Sequence, residues 1–317
     1  MRILAVDDNE FVRALLPSLF RTSGYPPIQL ADSASAALAI LDDPSAAFDC
    51  LILDIEMPGM DGIELCARIR QMPRYRDTPI IMLTARADGP SIERAFAAGA
   101  NDYIIKRFDM KAFTSRVHVA ERFLSKSDAN LTVDPALLGA GDPAGRHPFD
   151  LSQSFRISGV DRLILPFSLG NYLTQLPASE IEVCRIFAMR IEDIDQIYHR
   201  SNSRAFVDVL AGVVGALAGV VSTSRLLMAY TGEGTFMCIT RGLDLPVGCL
   251  LQADLRGALG ALTARSAFGP HIPVEVQVGN PIVPHGIRTQ RVRKSFGRAQ
   301  ERISPRPAAR QSALRMA

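Results

Sequence analysis

Three carboxylates fall where short apolar runs end. Asp7 and Asp8 follow Ile3-Leu4-Ala5-Val6, and Asp54 follows Cys50-Leu51-Ile52-Leu53. Brought to one end of a sheet, they would form a hard-oxygen site suited to Mg²⁺, which takes one or two carboxylates together with waters and phosphate oxygens. The turn-rich loop Met57-Pro58-Gly59-Met60-Asp61-Gly62 comes next and leaves the Asp54 carboxylate accessible. Thr84 closes a fourth run, Pro79-Ile80-Ile81-Met82-Leu83, and Lys106 closes a fifth. A hydroxyl and an ammonium at those ends could hold the oxygens of a phosphoryl group placed on Asp54. Taken singly, each residue is equally well a solubilising charge or a helix cap. In this order at successive strand ends, they point to phosphoryl chemistry.

The elements that would position them are those of an α/β domain. The apolar runs are short and continuous, as strands buried on both faces must be. Between them lie helical patterns, one with Phe11, Leu15 and Leu19 beside Val12, Leu16 and Phe20, another with Met110, Phe113, Val117, Ala120 and Phe123. Strand and helix alternating at this spacing predict a doubly wound, five-stranded parallel sheet. In such sheets ligands bind beyond the carboxyl ends of the strands, which is where the acids stand.

At these residues the chain resembles the response-regulator receiver family. The family's acid pair matches Asp7-Asp8, its phospho-acceptor Asp54, its switch hydroxyl Thr84, its aromatic switch Tyr103 and its lysine Lys106. The resemblance covers residues 1–124. It implies phosphoryl transfer from a histidine kinase or phosphotransferase to Asp54, with Mg²⁺ held by Asp8, Asp54 and the backbone carbonyl of Glu56, and with Asp7 completing the acidic set. One departure is Arg107, where the family usually has a proline, often after a cis bond. A non-proline cis bond costs about 3–4 kcal/mol, so a rearranged loop is expected there. Glu56 and Arg86, each two residues past a strand end, are expected to rim the site, where they either shield a phosphoryl group from water or stand solvated with no role in its lifetime.

Residues 125–155 are rich in Gly, Pro, Asp and Ala and predict a linker. A second domain is expected over 156–303. Val183 to Glu192 alternates like a strand, and Phe206, Leu210, Val213, Leu217 and Val221 form a helical stripe. Leu226 to Tyr230 and Phe236 to Thr240 flank a Gly-Glu-Gly turn, a helix follows around Leu250 to Leu262, and a strand at Val274 to Val278. That order is βαββαβ-like and suggests an α+β, ferredoxin-like palm. The hairpin Gly232-Glu233-Gly234-Thr235-Phe236 resembles the Gly-Gly-Asp/Glu-Glu-Phe turn of diguanylate cyclases, with Gly234 and Thr235 where the acids should be. Arg190-Ile191-Glu192 then falls on the family's Asp-Ile-Asp strand end, which puts Arg190 on its first metal-binding acid. A three-residue shift aligns Asp193-Ile194-Asp195 letter for letter but loses the matches at Ile197 and Leu210. Two-metal nucleotidyl transfer needs carboxylates, and a guanidinium opposes a cation. The likeness is therefore to a degenerate cyclase domain. Class III nucleotide cyclases offer a related match at Gly232-Glu233-Gly234, and there too Arg190 falls on a metal acid. The bland alternative is a tight hairpin with Glu233 as a solvated tip.

The composition, 48% apolar and 21% charged over 317 residues, is that of a globular chain. Residues 286–317 hold nine Lys/Arg against Glu301 alone, leaving 26 against 32 before them. An acidic body with a basic tail, expected to be disordered over 304–317, argues against nucleic acid as a partner for most of the length. Cys50, Cys66, Cys184, Cys238 and Cys249 are scattered, as in a reduced, cytoplasmic protein. The apolar stretch Val209 to Ser224 falls short of the roughly 18 residues of a membrane span and predicts a buried helix. The expected function is a two-component response regulator that signals through protein contacts to an unknown output partner or a second copy of the chain. The competing expectations are an active cyclase controlled by phosphorylation and a phosphate sink with an oligomerising second domain.

Overall fold

Runs without a polar residue become the inner strands of a parallel sheet in the computed structural model. It describes residues 1–85, 89–106, 109–124, 131–221, 225–241, 245, 248–260, 263–264 and 272–303. In chain order come β1 (Ile3–Val6), α1 (Glu10–Thr22), β2 (Gln29–Ala31), α2 (Ala34–Asp42), β3 (Cys50–Asp54), α3 (Gly62–Gln71), β4 (Ile80–Thr84), α4 (Gly89–Ala97), β5 (Asp102–Ile105) and α5 (Met110–Leu124). The five strands run parallel in the order β2-β1-β3-β4-β5. Every residue of β1, β3 and β4 is buried, which explains why these runs read as unbroken apolar segments.

Asn9 caps α1 by accepting from the backbone N–H groups of Phe11 and Val12. Leu16, Leu19 and Phe20 of α1 and Phe113, Val117 and Ala120 of α5 pack on Ile3, Ala5, Ile52 and Ile81 of the sheet. The apolar face of α1 is narrower than its sequence pattern suggests. Phe11 is 87% exposed and Leu15 39%, so neither belongs to the core. The side chain of Phe123 lies outside the described residues.

The stretch read as a linker carries regular structure. β6 (Leu131–Val133) pairs in parallel with β7 (Phe155–Ile157), and a single 3-10 turn follows β6 at Pro135–Leu137. After β7 comes α6 (Pro166–Gln175), which packs on β5. The described residues divide into two compact units, and Ser152–Pro177 falls in the first, together with Met1–Leu137 and Leu227–Tyr230.

The remaining elements are α7 (Ala178–Glu182), β8 (Cys184–Ile191), α8 (Ile194–Arg200), α9 (Ser203–Val220), β9 (Leu226–Tyr230), β10 (Thr235–Arg241), α10 (Gly248–Leu259), β11 (Thr263–Ala264), β12 (Ile272–Pro273), β13 (Val276–Val278) and α11 (Arg291–Glu301). In the second unit β8 is central, with β10 and β13 antiparallel on either side. Among the described residues, α9 is the helix long and apolar enough to cross a membrane by length and composition. It buries Phe206, Leu210, Val213 and Leu217 and packs against α10. In α11, Ala299 turns inward as its spacing predicts, joined by Ser295, while Val292 and Phe296 are half-buried. The basic tail, 304–317, lies outside the described residues.

Candidate phosphorylation site

Asp54 is the last residue of β3, the middle strand of the five-stranded sheet, and Asp7 and Asp8 directly follow the adjacent β1. Each of the three carboxylates offers an oxygen within 4.8 Å of the others; Asp7 and Asp54 are buried and Asp8 is exposed. The close approach behind Asp54 depends on Gly62, the first residue of α3. A Cβ there would stand 1.8 Å from the Asp54 carbonyl oxygen, so only glycine lets α3 start against the end of β3. Asp61 caps that helix, accepting from the Glu64 N–H at 2.7 Å.

Lys106 follows β5 and reaches the acids. Its Nζ lies 2.7 Å from Asp54 Oδ2 and 2.9 Å from Asp7 Oδ2. Arg107 itself lies outside the described residues, as does Arg86. The backbone N–H of Lys106 donates to the Thr84 carbonyl at 2.8 Å, which anchors the lysine to the end of β4. Burial pushes the Asp54 carboxyl up to about 6, against the pull of its hydrogen bond from Lys106, with the Asp7 charge adding to the rise. Burial also works against the Lys106 ammonium, but Asp54 and Asp7 outweigh it and hold the group above its ordinary value. Three carboxylates against one ammonium leave a negative, all-oxygen donor set. That chemistry fits Mg²⁺.

Thr84 is buried at the end of β4. Glu56 is exposed, and its N–H donates to Asp54 Oδ1 at 3.3 Å. Tyr103 is turned inward, 3% exposed, and its hydroxyl donates to the Gln175 carbonyl at the end of α6, at 3.3 Å. The rest of α6 is tied to the same face. Gln175 Nε2 donates to Asp102 Oδ1, Asn171 Nδ2 to the Asn101 carbonyl at 3.1 Å, and Asn101 Nδ2 to Ser168 Oγ at 3.3 Å. The Tyr172 hydroxyl donates to Glu93 Oε1 at 2.7 Å, and its ring meets Phe96 edge-on at 5.6 Å. Sequence reasoning missed this contact set. Its partners are about seventy residues apart in the chain, and no local spacing marks them.

The model of the response regulator receiver domain matches residues 3–118. The chemotaxis protein CheY of Pseudomonas aeruginosa is 36% identical over 117 residues, which is 37% of this chain and 93% of that protein. This chain belongs to the response-regulator receiver family. The receiver is also similar to the transcriptional regulatory protein ResD of Bacillus subtilis, at 37% identity over 40% of this chain and 50% of ResD. Among solved structures, the chemotaxis response regulator CheY4 of Vibrio cholerae is 29% identical, covering 38% of this chain and 97% of that one, with a TM-score of 0.35.

Beyond the receiver, Arg190 of β8 lies opposite Thr235 of β10 and Gln277 of β13. Its Nη2 donates to Gln277 Oε1 at 3.0 Å. The turn after β9 holds three successive residues in the left-handed region, Gly232 (φ 93°), Glu233 (φ 50°) and Gly234 (φ 70°). It closes through Thr231 N–H to the Thr235 carbonyl at 2.8 Å and Thr235 N–H to the Gly232 carbonyl at 2.9 Å. A Cβ on Gly234 would stand 2.9 Å from the Ile194 side chain, so no carboxylate can be carried there without displacing it. Glu233 is an exposed tip. Among the described residues, the group at Asp7, Asp8 and Asp54 is the one cluster of three or more metal-ligating side chains.

Proposed function

We infer that this response regulator accepts a phosphoryl group on Asp54 from a histidine kinase or phosphotransferase, and that the signal passes by protein contact to a second domain that makes no cyclic nucleotide. The observation that carries the first half is the convergence of Lys106 Nζ, Asp54 and Asp7 within 3 Å beside exposed Asp8. Mg²⁺ held by Asp7, Asp8, Asp54 and the Glu56 carbonyl would neutralise charge on the transferring group. A carboxylate oxygen of Asp54 attacks phosphorus, the bond to the donor's leaving group breaks, and the leaving group carries away the electron pair. Lys106 sits where it can hold an oxygen of the new acyl phosphate. Phe11 and Leu15, exposed on the helix that starts just past Asp7 and Asp8, offer an apolar surface for a docking phosphodonor.

Thr84, at the neighbouring strand end, is placed to sense the phosphoryl group, and Tyr103, near the start of β5, ties that strand to α6. We assign residues 1–124 to the receiver, 125–155 to the connection and 156–303 to an output domain of degenerate cyclase type, with Ser152–Pro177 and Leu227–Tyr230 grouping with the first compact unit. The assignment of output type is supported by the order β8-α8-α9-β9-β10-α10-β13 with β8 between β10 and β13, as in a ferredoxin-like palm. The absence of activity is supported by Arg190 and Gly234, which stand where a cyclase needs acids. Acetyl phosphate with Mg²⁺ is expected to label the wild-type chain and not Asp54→Asn. GTP or ATP with Mg²⁺ or Mn²⁺ is expected to yield no cyclic product, with or without the phosphoryl donor. Label retained in Asp54→Asn would move the acceptor, and a cyclic product would overturn the output assignment.

A further inference from the structure

Away from Asp54, guanidinium groups gather in a pocket bounded by Arg70 of α3, the Arg76–Asp77 turn, Thr132 of β6, Arg156 of β7 and the first turn of α6. Arg70 is buried, and all its hydrogen bonds go to neutral acceptors. Nε and Nη2 donate to the Gly99 carbonyl at 3.0 and 2.8 Å, Nη1 to the carbonyls of Tyr75 and Thr78 at 3.0 and 2.7 Å, and Nη2 to Asn101 Oδ1 at 2.8 Å. Among the described residues no carboxylate is hydrogen-bonded or ion-paired with it. Arg156 converges on the same place. A Cβ on Gly99 (φ +106°) would lie 3.0 Å from both Arg156 Nη1 and Arg70 Nε. The Arg156 guanidinium makes no hydrogen bond and no ion pair among the described residues, yet the residue is half-buried. Arg76 gives Nη2 to Asp134 at 2.7 Å, but its buried Nε has no partner.

Two further donors face the pocket. Thr132 is 9% exposed and its Oγ1 is buried without a partner. Ser168, in the first turn of α6, accepts from Asn101 and keeps its own proton to give, while Leu165 begins that helix with no side-chain cap. Asp77 also lines the pocket but is exposed and forms no ion pair with any of the three arginines. Burial lowers Arg70 to about 10 and pushes Arg156 down as well, and the Asp77 charge offsets this only in part. Buried cations are normally paired, and buried donors normally satisfied.

We propose that this pocket binds one chloride ion, held by Arg156, Arg76 Nε and the Thr132 hydroxyl. The donors are all of the anion-seeking kind, and the cavity volume of about 10 Å³ leaves room for one small occupant, which favours a monatomic anion over a larger oxyanion. The ion would balance the charge beneath α6 and join β6 and β7 to α3 at Arg70 and to the loop at Gly99. This site is independent of Asp54 and of any phosphoryl donor.

Thermal unfolding of the full chain in chloride and in gluconate, at equal ionic strength and without phosphate, tests it. The wild-type midpoint is expected to rise saturably as chloride replaces gluconate, by several degrees. Arg156→Gln is expected to lose that dependence, and to be at least as stable as wild type in gluconate, because an unpaired cation has been removed. Thr132→Val, which keeps the shape of the side chain, is expected to shift the half-saturating chloride concentration upward several-fold, and it carries the test alone if Arg156→Gln does not fold. Equal midpoints for wild type in the two salts, or a wild-type chloride response in the folded variants, would overturn the site.

Discussion

Asp54 and Arg190 occupy comparable places in two different sheets. Each stands at or next to the end of a central strand, followed by a loop or turn that brings the chain to a helix. At Asp54 the neighbouring strand end adds Asp7 and Asp8, Lys106 supplies the balancing cation, and the carboxyl oxygens remain within reach of one another. At Arg190 the neighbours across the strands are Thr235 and Gln277, and the turn presents Gly234 against Ile194. A strand end is therefore only a platform. What it can bind is set by the charges that adjacent strands bring to it, and here one platform gathers acids while the other carries a guanidinium, a hydroxyl and an amide.

The receiver side of this contrast is most sharply broken at its cation. Lys106→Ala is expected to slow labelling by acetyl phosphate about 10²-fold or more, the usual loss when a placed electrostatic group is removed. Measured single-turnover rates that stay within a factor of two would deny Lys106 its role. A buried acid without a metal task sharpens the contrast further. Burial raises Asp102 to about 6, opposed by Arg116, by the Tyr103 N–H and by Gln175. A carboxyl raised in the folded state contributes stability that is present below its unfolded value near 4 and is lost as pH rises through 6. Relative to Asp102→Asn, wild type should therefore lose on the order of 2–3 kcal/mol between pH 4 and pH 7.5. Urea unfolding of the two proteins at both pH values checks this, and a constant difference would contradict it. The smallest effect expected is on the second sheet. Gly234→Asp should cost about 1–3 kcal/mol, because the position combines positive φ with contact on Ile194, and calorimetry should show no Mg²⁺ binding beyond that of wild type.

Much of the receiver could be foreseen from residue types. Continuous apolar runs ending in Asp7, Asp54 and Thr84 encode both the strand and its functional end, because in a parallel sheet the two are one feature. The same reasoning set Phe11 and Leu15 in the apolar pattern of α1, where both are exposed. Periodicity records which residues share a helix face but not how wide a stripe the sheet covers. The docking of α6 was invisible for a different reason. Gln175, Asn171 and Tyr172 are ordinary helix residues until Asp102, Asn101 and Glu93 are brought beside them, and that pairing depends on the fold. Arg70 escaped notice likewise, since a buried arginine bonded to backbone carbonyls leaves no sequence pattern.

α6, held to β5 through Tyr103 and Asp102, is the element expected to report the state of Asp54. Amide hydrogen exchange across residues 166–175, measured with Mg²⁺ before and after acetyl phosphate, tests this most directly. Phosphorylation is expected to lower protection there in wild type, as Tyr103 and Asp102 release Gln175, and to leave it unchanged in Asp54→Asn and in phosphorylated Thr84→Ala. Protection in 166–175 that is identical before and after full labelling of wild type would contradict the account.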